Sequence, residues 1–316
     1  MAPEIYIYLT PDPFESDDCL EEDNFSWIPG YLSGEDEDGT VSFLREENTE
    51  LFDKIFESFK GDISAALQRL KPLFDEFYLR QLNVALDFSG LLTRTKSSLA
   101  GYYYHYSQPS KGIYSFSVDQ NMLYRKALFL RDAKKSVLPD MNLWEHELIH
   151  LFDHQELVAA SFLKESEIGK NNLDYYCLKF REEGLANLFD LLDGKLKDIS
   201  GVEEAKEKFV SAYRIAAGKL MNEKNTTSEI RKEVYKGFDF YEIGPWLILA
   251  ILHRDFSFSE DDLDIQSIFE KLTLGVVVED AVKIKLLKRA TYIDNQYFLS
   301  AVSNWLTSDS DHKVEV

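Results

Sequence analysis

Three of the six histidines in the chain, His146, His150 and His154, fall within nine residues, and Glu147 stands directly after the first. On a helix, residues four apart share a face about one turn apart, so His146 and His150 project the same way. Zinc takes nitrogen, sulfur or oxygen ligands at roughly 2.0–2.3 Å in tetrahedral geometry. Two imidazoles one turn apart can converge on one such ion. Glu147 lies on the adjoining face, where it can hydrogen-bond a metal-bound water without becoming a ligand. The chemistry this arrangement supports is water activation for hydrolysis. Leu143, Trp144, Leu148, Ile149, Leu151 and Phe152 surround the motif, and Glu145 is the other charge among them. A mostly apolar frame of this kind fits a helix buried at the floor of a cleft. His154 lies a further turn along, about 6 Å at ~1.5 Å per residue. That is too far from an ion held between 146 and 150, so His154 reads as a supporting or surface residue.

Residues 143–152 resemble the active-site helix of the zincin metallopeptidases. In that group the third ligand separates the branches. Metzincins use His-Glu-x-x-His-x-x-Gly-x-x-His; here Asp153 stands at the glycine and Glu156 at the third histidine, so that pattern fails. Arg181-Glu182-Glu183-Gly184-Leu185-Ala186-Asn187 is similar to the Glu-Gly-x-Ala segment of the gluzincins. The resemblance implies Glu183 as third ligand and Asn187 as the residue orienting the first histidine. It also implies that Gly184 and Ala186 let the two helices approach closely. Zn2+ is the implied cofactor, with one position open for water and Glu147 as general base. Family members often place a Tyr or His after the third ligand to steady the oxyanion. Tyr241, in Tyr241-Glu242-Ile243-Gly244-Pro245-Trp246, is the first choice, ahead of His253 and Tyr235. The implied activity is that of a zinc-dependent peptidase acting on a peptide or protein. The alternative is a zincin-fold binding or regulatory module that keeps zinc but little or no peptidase activity, against which the intact Glu147 speaks. A cysteine ligand of the peptide deformylase kind needs a Glu-Gly-Cys-Leu-Ser context. Cys19 sits in Asp-Asp-Cys-Leu-Glu, and Cys177 falls on an apolar helix face as an inert buried residue.

The elements that must hold these residues can be read from spacing and punctuation. A helix is predicted from about Pro139-Asp140, capped by Asp140 or Asn142, through His150 and beyond Leu157. A second is predicted from Asn171-Asn172-Leu173-Asp174 to about Leu192, with Gly194 as its stop. Strands are expected over 4–9, 82–88, 100–106 and 112–118, with a turn at Ser107-Gln108-Pro109-Ser110-Lys111 between the last two. Helical spacing marks 50–79, and further helices are expected over 202–221, 228–235, 241–253, 260–272 and 278–306. Strands followed by helices make an α+β class, a small mixed sheet ahead of a mostly helical gluzincin-like domain. The resemblance covers roughly 82–253 and implies that 112–118 is an edge strand pairing with substrate. The expected division is an N-terminal region 1–80, a catalytic domain 81–255 and C-terminal helices 256–316.

The formal net charge is −21, from 35 Lys and Arg against 56 Asp and Glu. Such a charge repels nucleic-acid backbones and anionic membranes, so neither is an expected partner. The most apolar run, 243–252, is interrupted by Gly244-Pro245 and is shorter than the roughly 20 residues of a membrane span. The two cysteines give no disulfide framework and fit a reducing compartment. The first residues lack the pattern of a secretory signal, which makes the cytoplasm the expected location. Residues 11–39 are acidic and turn-rich, and are expected to be a mobile segment lying over the cleft.

Overall fold

Apolar residues at helical spacing produce the first long helix, α1 (Thr49–Arg69). Ile55, Phe59, Ile63, Ala66 and Leu67 are buried along one side, while Lys54, Glu57 and Lys60 are exposed. Helical spacing predicted an element running to 79. The α-helix stops at Arg69 and closes in a 3-10 turn at Lys71–Leu73, where Pro72 has no N–H to continue the ladder. The structure is a computed structural model and describes residues 4–10, 49–73, 80–87, 102–108, 113–118, 142–159, 172–220, 239–256 and 263–308. Most of them are helical. The acidic segment 11–39, Cys19, Pro139-Asp140, the expected helix 228–235 and Tyr235 lie outside the described residues.

The chain divides into two compact units, Met1–Asp140 and Met141–Val316. This boundary differs from the expected ones after 80 and 255. The first unit holds α1 and four strands: β1 (Glu4–Thr10), β2 (Gln81–Asp87), β3 (Tyr102–Gln108) and β4 (Ile113–Val118). Their order is β1-β2-β4-β3. β1 and β2 pair in parallel, Ile5 opposite Leu82, which requires a crossover connection; α1 falls in that stretch of chain. β4 also runs parallel to β2, and β3 is antiparallel to β4. Between Tyr104 and Tyr106 the register shifts by one, leaving His105 as the extra residue of a bulge. Because β4 is hydrogen-bonded on both sides, residues 112–118 are not an edge strand. The edges of the described sheet are β1 and β3. Pairing order depends on contacts distant in sequence, which local alternation does not reveal.

The second unit is helical: α2 (Leu143–Ala159), α3 (Asn172–Ala186), the short α4 (Leu188–Leu192), α5 (Val202–Leu220), α6 (Asp239–Phe256), α7 (Ile265–Thr273), α8 (Asp280–Ala290) and α9 (Asn295–Ser308). Gly194 ends α4 at φ 69°, the left-handed backbone glycine adopts without strain. The single helix expected over 278–306 is two, because Asp294 accepts a hydrogen bond from the Tyr297 N–H at 2.7 Å and caps a new start. α6 runs unbroken through Gly244-Pro245. Proline removes one backbone bond inside it, and buried packing of Ile243, Trp246, Leu247 and Ile248 carries the helix across the gap. No helix among the described residues is long and apolar enough to cross a membrane.

α3 is central to this unit. Phe180 meets Phe209 of α5 at 5.0 Å and Phe240 of α6 at 6.3 Å between ring centroids. Gly184 lies directly against Gly244: a Cβ added at Gly184 would come within 2.4 Å of the Gly244 backbone. One added at Gly244 would come within 2.3 Å of the Phe180 carbonyl oxygen. Backbone therefore touches backbone where α3 and α6 cross. The small residue after Glu183 thus serves the crossing of α3 with α6.

Candidate metal centre

α2 buries its apolar frame: Trp144, Leu148, Ile149, Leu151 and Phe152 are all at most 4% exposed. That packing fixes the opposite side of the helix, from which His146 and His150 project one turn apart. Their Nε2 atoms stand 3.0 Å from each other. Glu183 comes across from α3, its Oε2 3.4 Å from His146 Nε2 and 3.3 Å from His150 Nε2. Three donor atoms held at zinc–nitrogen and zinc–oxygen distances around one tetrahedral ion lie about 3.3–3.6 Å apart. The observed triangle is close to that, and these three residues form a group able to hold a metal ion.

The hydrogen bonding specifies which atoms face inward. Asn187 is fully buried and donates from Nδ2 to the Glu183 carbonyl at 3.0 Å. Its Oδ1 is thereby turned to His146 Nδ1, 3.2 Å away. The network assigns the Nδ1 proton of His146 to that bond, which leaves Nε2 with its lone pair directed at the centre. Glu183 Oε2 is buried and has no hydrogen-bond partner. Two electron-pair donors thus face each other in a largely buried site, an arrangement that a shared cation satisfies. The Lys179 ammonium is 4.0 Å from the other oxygen of Glu183 and 2.6 Å from Glu182. Burial opposes ionisation of Glu183, but His150 and His146 outweigh it and hold the carboxyl well below the usual range. Burial likewise disfavours a proton on His150, and Glu183 overrides it and raises that pKa. Glu147 is half-buried beside this triangle. Burial pushes its carboxyl up to about 8; His146 works against the rise, and Glu183 and Glu182 add to it.

The two helices run antiparallel, joined by a series of polar pairs. Asp190 accepts from the Asn142 backbone N–H at 2.9 Å, where α2 begins. Next come His146 with Asn187 and His150 with Glu183. Last is a bidentate ion pair between Asp153 and Arg181 at 2.6 and 2.7 Å. Asn142 is held further by Asp193, at 2.8 Å, and Asp193 also receives the buried ammonium of Lys283 from α8. The end pairs were not found by sequence reading. Their signal was a matched spacing: 142, 146, 150 and 153 rise as 190, 187, 183 and 181 fall.

Tyr241 opens α6 beside the site, its ring 6.1 Å from that of His146. His253 does not reach it. Twelve residues further along α6, about 18 Å at 1.5 Å per residue, it is exposed and packs on Phe269. There it borders a separate cavity of about 750 Å3 lined also by Trp246 and Trp305. Cys177 is a buried free thiol, pushed up to about 12 mainly by burial, and is not in the group. The His154 side chain lies outside the described residues. Comparison with known proteins finds no match: no family model, no curated protein and no solved structure is similar to this chain.

Proposed function

We propose that this chain is a zinc-dependent peptidase with His146, His150 and Glu183 as its metal ligands. The observation that carries the reading is the triangle of donor atoms, with the buried Oε2 of Glu183, which accepts no hydrogen bond, at one corner. Two imidazoles and a carboxylate are a ligand set of catalytic zinc, which leaves a position for water. Zinc bound there supplies Lewis acidity and draws the pKa of a water towards neutrality. Glu147 stands next to His146 without joining the triangle. It takes the proton of the attacking water and returns it to the leaving amine. Glu147 acts in its ionised form, which a cation held by the triangle would favour against the burial that raises its carboxyl. Tyr241 donates its phenolic hydrogen to the oxyanion forming on the scissile carbonyl. Asn187 keeps the His146 ring in its ligating tautomer. In this reading the whole chain is an α+β protein of gluzincin type, acting on peptides or proteins in the cytoplasm.

The test is Glu147→Gln. The variant is expected to retain zinc and to hydrolyse a mixed peptide library at least about 100-fold more slowly, as loss of a general base does. Hydrolysis at a near-native rate by the zinc-loaded variant contradicts the mechanism. A wild-type chain that binds zinc without any turnover would instead be a binding or regulatory module.

A further inference from the structure

Asp153 and Arg181 are among the most buried charged residues described, at 4% and 2% exposure. Neither belongs to the metal triangle. A buried ion pair is often no more stabilising than apolar side chains of similar volume, so its presence calls for a reason beyond stability. Its place supplies one. Asp153 follows His150 by three residues on α2, and Arg181 precedes Glu183 by two on α3. Each member of the pair is thus rigidly tied, through less than one helical turn, to a ligand. Two residues along a helix turn it by about 200°. Arg181 therefore leaves α3 from the flank opposite Glu183, and its guanidinium still meets Asp153 with both terminal nitrogens. Its Nε donates in addition to the Ile293 carbonyl, 2.6 Å away, in the turn between α8 and α9. A planar group fixed at three points on two other elements stops α3 from rolling or sliding. A slip of one residue would rotate Glu183 by about 100° and move it 1.5 Å along the axis, out of the triangle.

We propose that Asp153 and Arg181 are positioning residues that set the spacing of His150 and Glu183 before any metal arrives. The proposal rests on the reading of His146, His150 and Glu183 as ligands. Losing the pair lowers metal affinity by 10–100-fold, the size of effect seen when residues behind metal ligands are removed.

The experiment uses the full chain, stripped of metal with chelator. Zinc affinity is measured by competition with a chromophoric chelator, and melting temperature is measured separately on the metal-free protein. The variants are the double substitution Asp153→Val with Arg181→Met, which removes both charges and keeps the summed volume close, and the single Arg181→Lys. The double variant is expected to melt within a few degrees of wild type but to bind zinc 10–100-fold more weakly. Arg181→Lys keeps the charge and loses the fork and the Nε bond; it is expected to weaken zinc binding about tenfold. Wild-type affinity in either folded variant overturns the proposal and leaves the pair a purely structural contact. If the double variant does not fold, Arg181→Lys alone decides. A wild-type chain that binds no zinc refutes the ligand assignment itself, a different result from wild-type binding that the variants share.

Discussion

α3 has two kinds of neighbour, and it meets them by opposite means. Against α6 it presents Gly184 to Gly244, backbone on backbone, and the Phe180 ring to that of Phe240. Against α2 stand Asp190, from the following α4, then Asn187 and Glu183, with Arg181 reaching round from the other flank of α3 to Asp153, each meeting a specific polar group. The first contact depends on shape: it fixes how close the helices come and admits no added atom. The second depends on chemistry: it fixes which residues stand opposite, at the cost of burying groups that must all be satisfied. A metal centre needs both. Close packing on one side holds α3 in place, and polar pairing on the other selects the one register in which two histidines and a glutamate converge.

The largest effect is expected at the glycines. Gly244→Ala places a Cβ within 2.3 Å of the Phe180 carbonyl oxygen, and the helices must part. The expected loss is about 3 kcal/mol, at the upper end for overpacking, read as a shift in the urea midpoint of metal-free protein. A change under about 0.5 kcal/mol would mean that the crossing is looser than described. The polar side is sharpened by Asn187→Ala, which frees the His146 ring. Zinc affinity should fall 10–100-fold in chelator competition, and an unchanged affinity would remove Asn187 from the account.

A smaller effect concerns pH. The Glu147 carboxyl ordinarily titrates near 4.5 and is raised to about 8 in the folded chain. Between those values the folded chain holds a proton the unfolded chain has released. Stability from this group is therefore full below 4.5 and is lost as pH rises towards 8. Chelator-treated wild type should melt lower at pH 8 than at pH 5, and Glu147→Gln should show a shallower decline; equal slopes would contradict the raised pKa. Smallest of all is His253→Ala. On the exposed end of α6, it should leave zinc content unchanged and stability within about 0.5 kcal/mol.

What could be read without a structure was local. His146 and His150 are tied by one turn of helix, and Glu183 by the short Glu-Gly-x-Ala pattern, so the three could be named together. Asn187 followed one turn after Glu183. The burial of Cys177 and the stop at Gly194 also follow from neighbours in sequence. What escaped was set by contacts between distant segments. Gly184 has its partner sixty residues away at Gly244, on a helix that spacing predicted but whose packing partner it did not name. The interior place of β4 depends on β2 and β3 together. Asp153 marked only a failed metzincin pattern until Arg181 stood opposite it, and Asp190 had no visible role until the start of α2 was placed against it.

The proposed metal site takes its third ligand, Glu183, from α3. Bound zinc per chain after exhaustive dialysis tests it most directly, in wild type, Glu183→Ala and His154→Ala. About one zinc is expected in wild type, close to none in Glu183→Ala, and about one in His154→Ala, as a three-residue ligand set requires. Zinc retained by Glu183→Ala and lost by His154→Ala would contradict it, because the site would then be built from α2 alone.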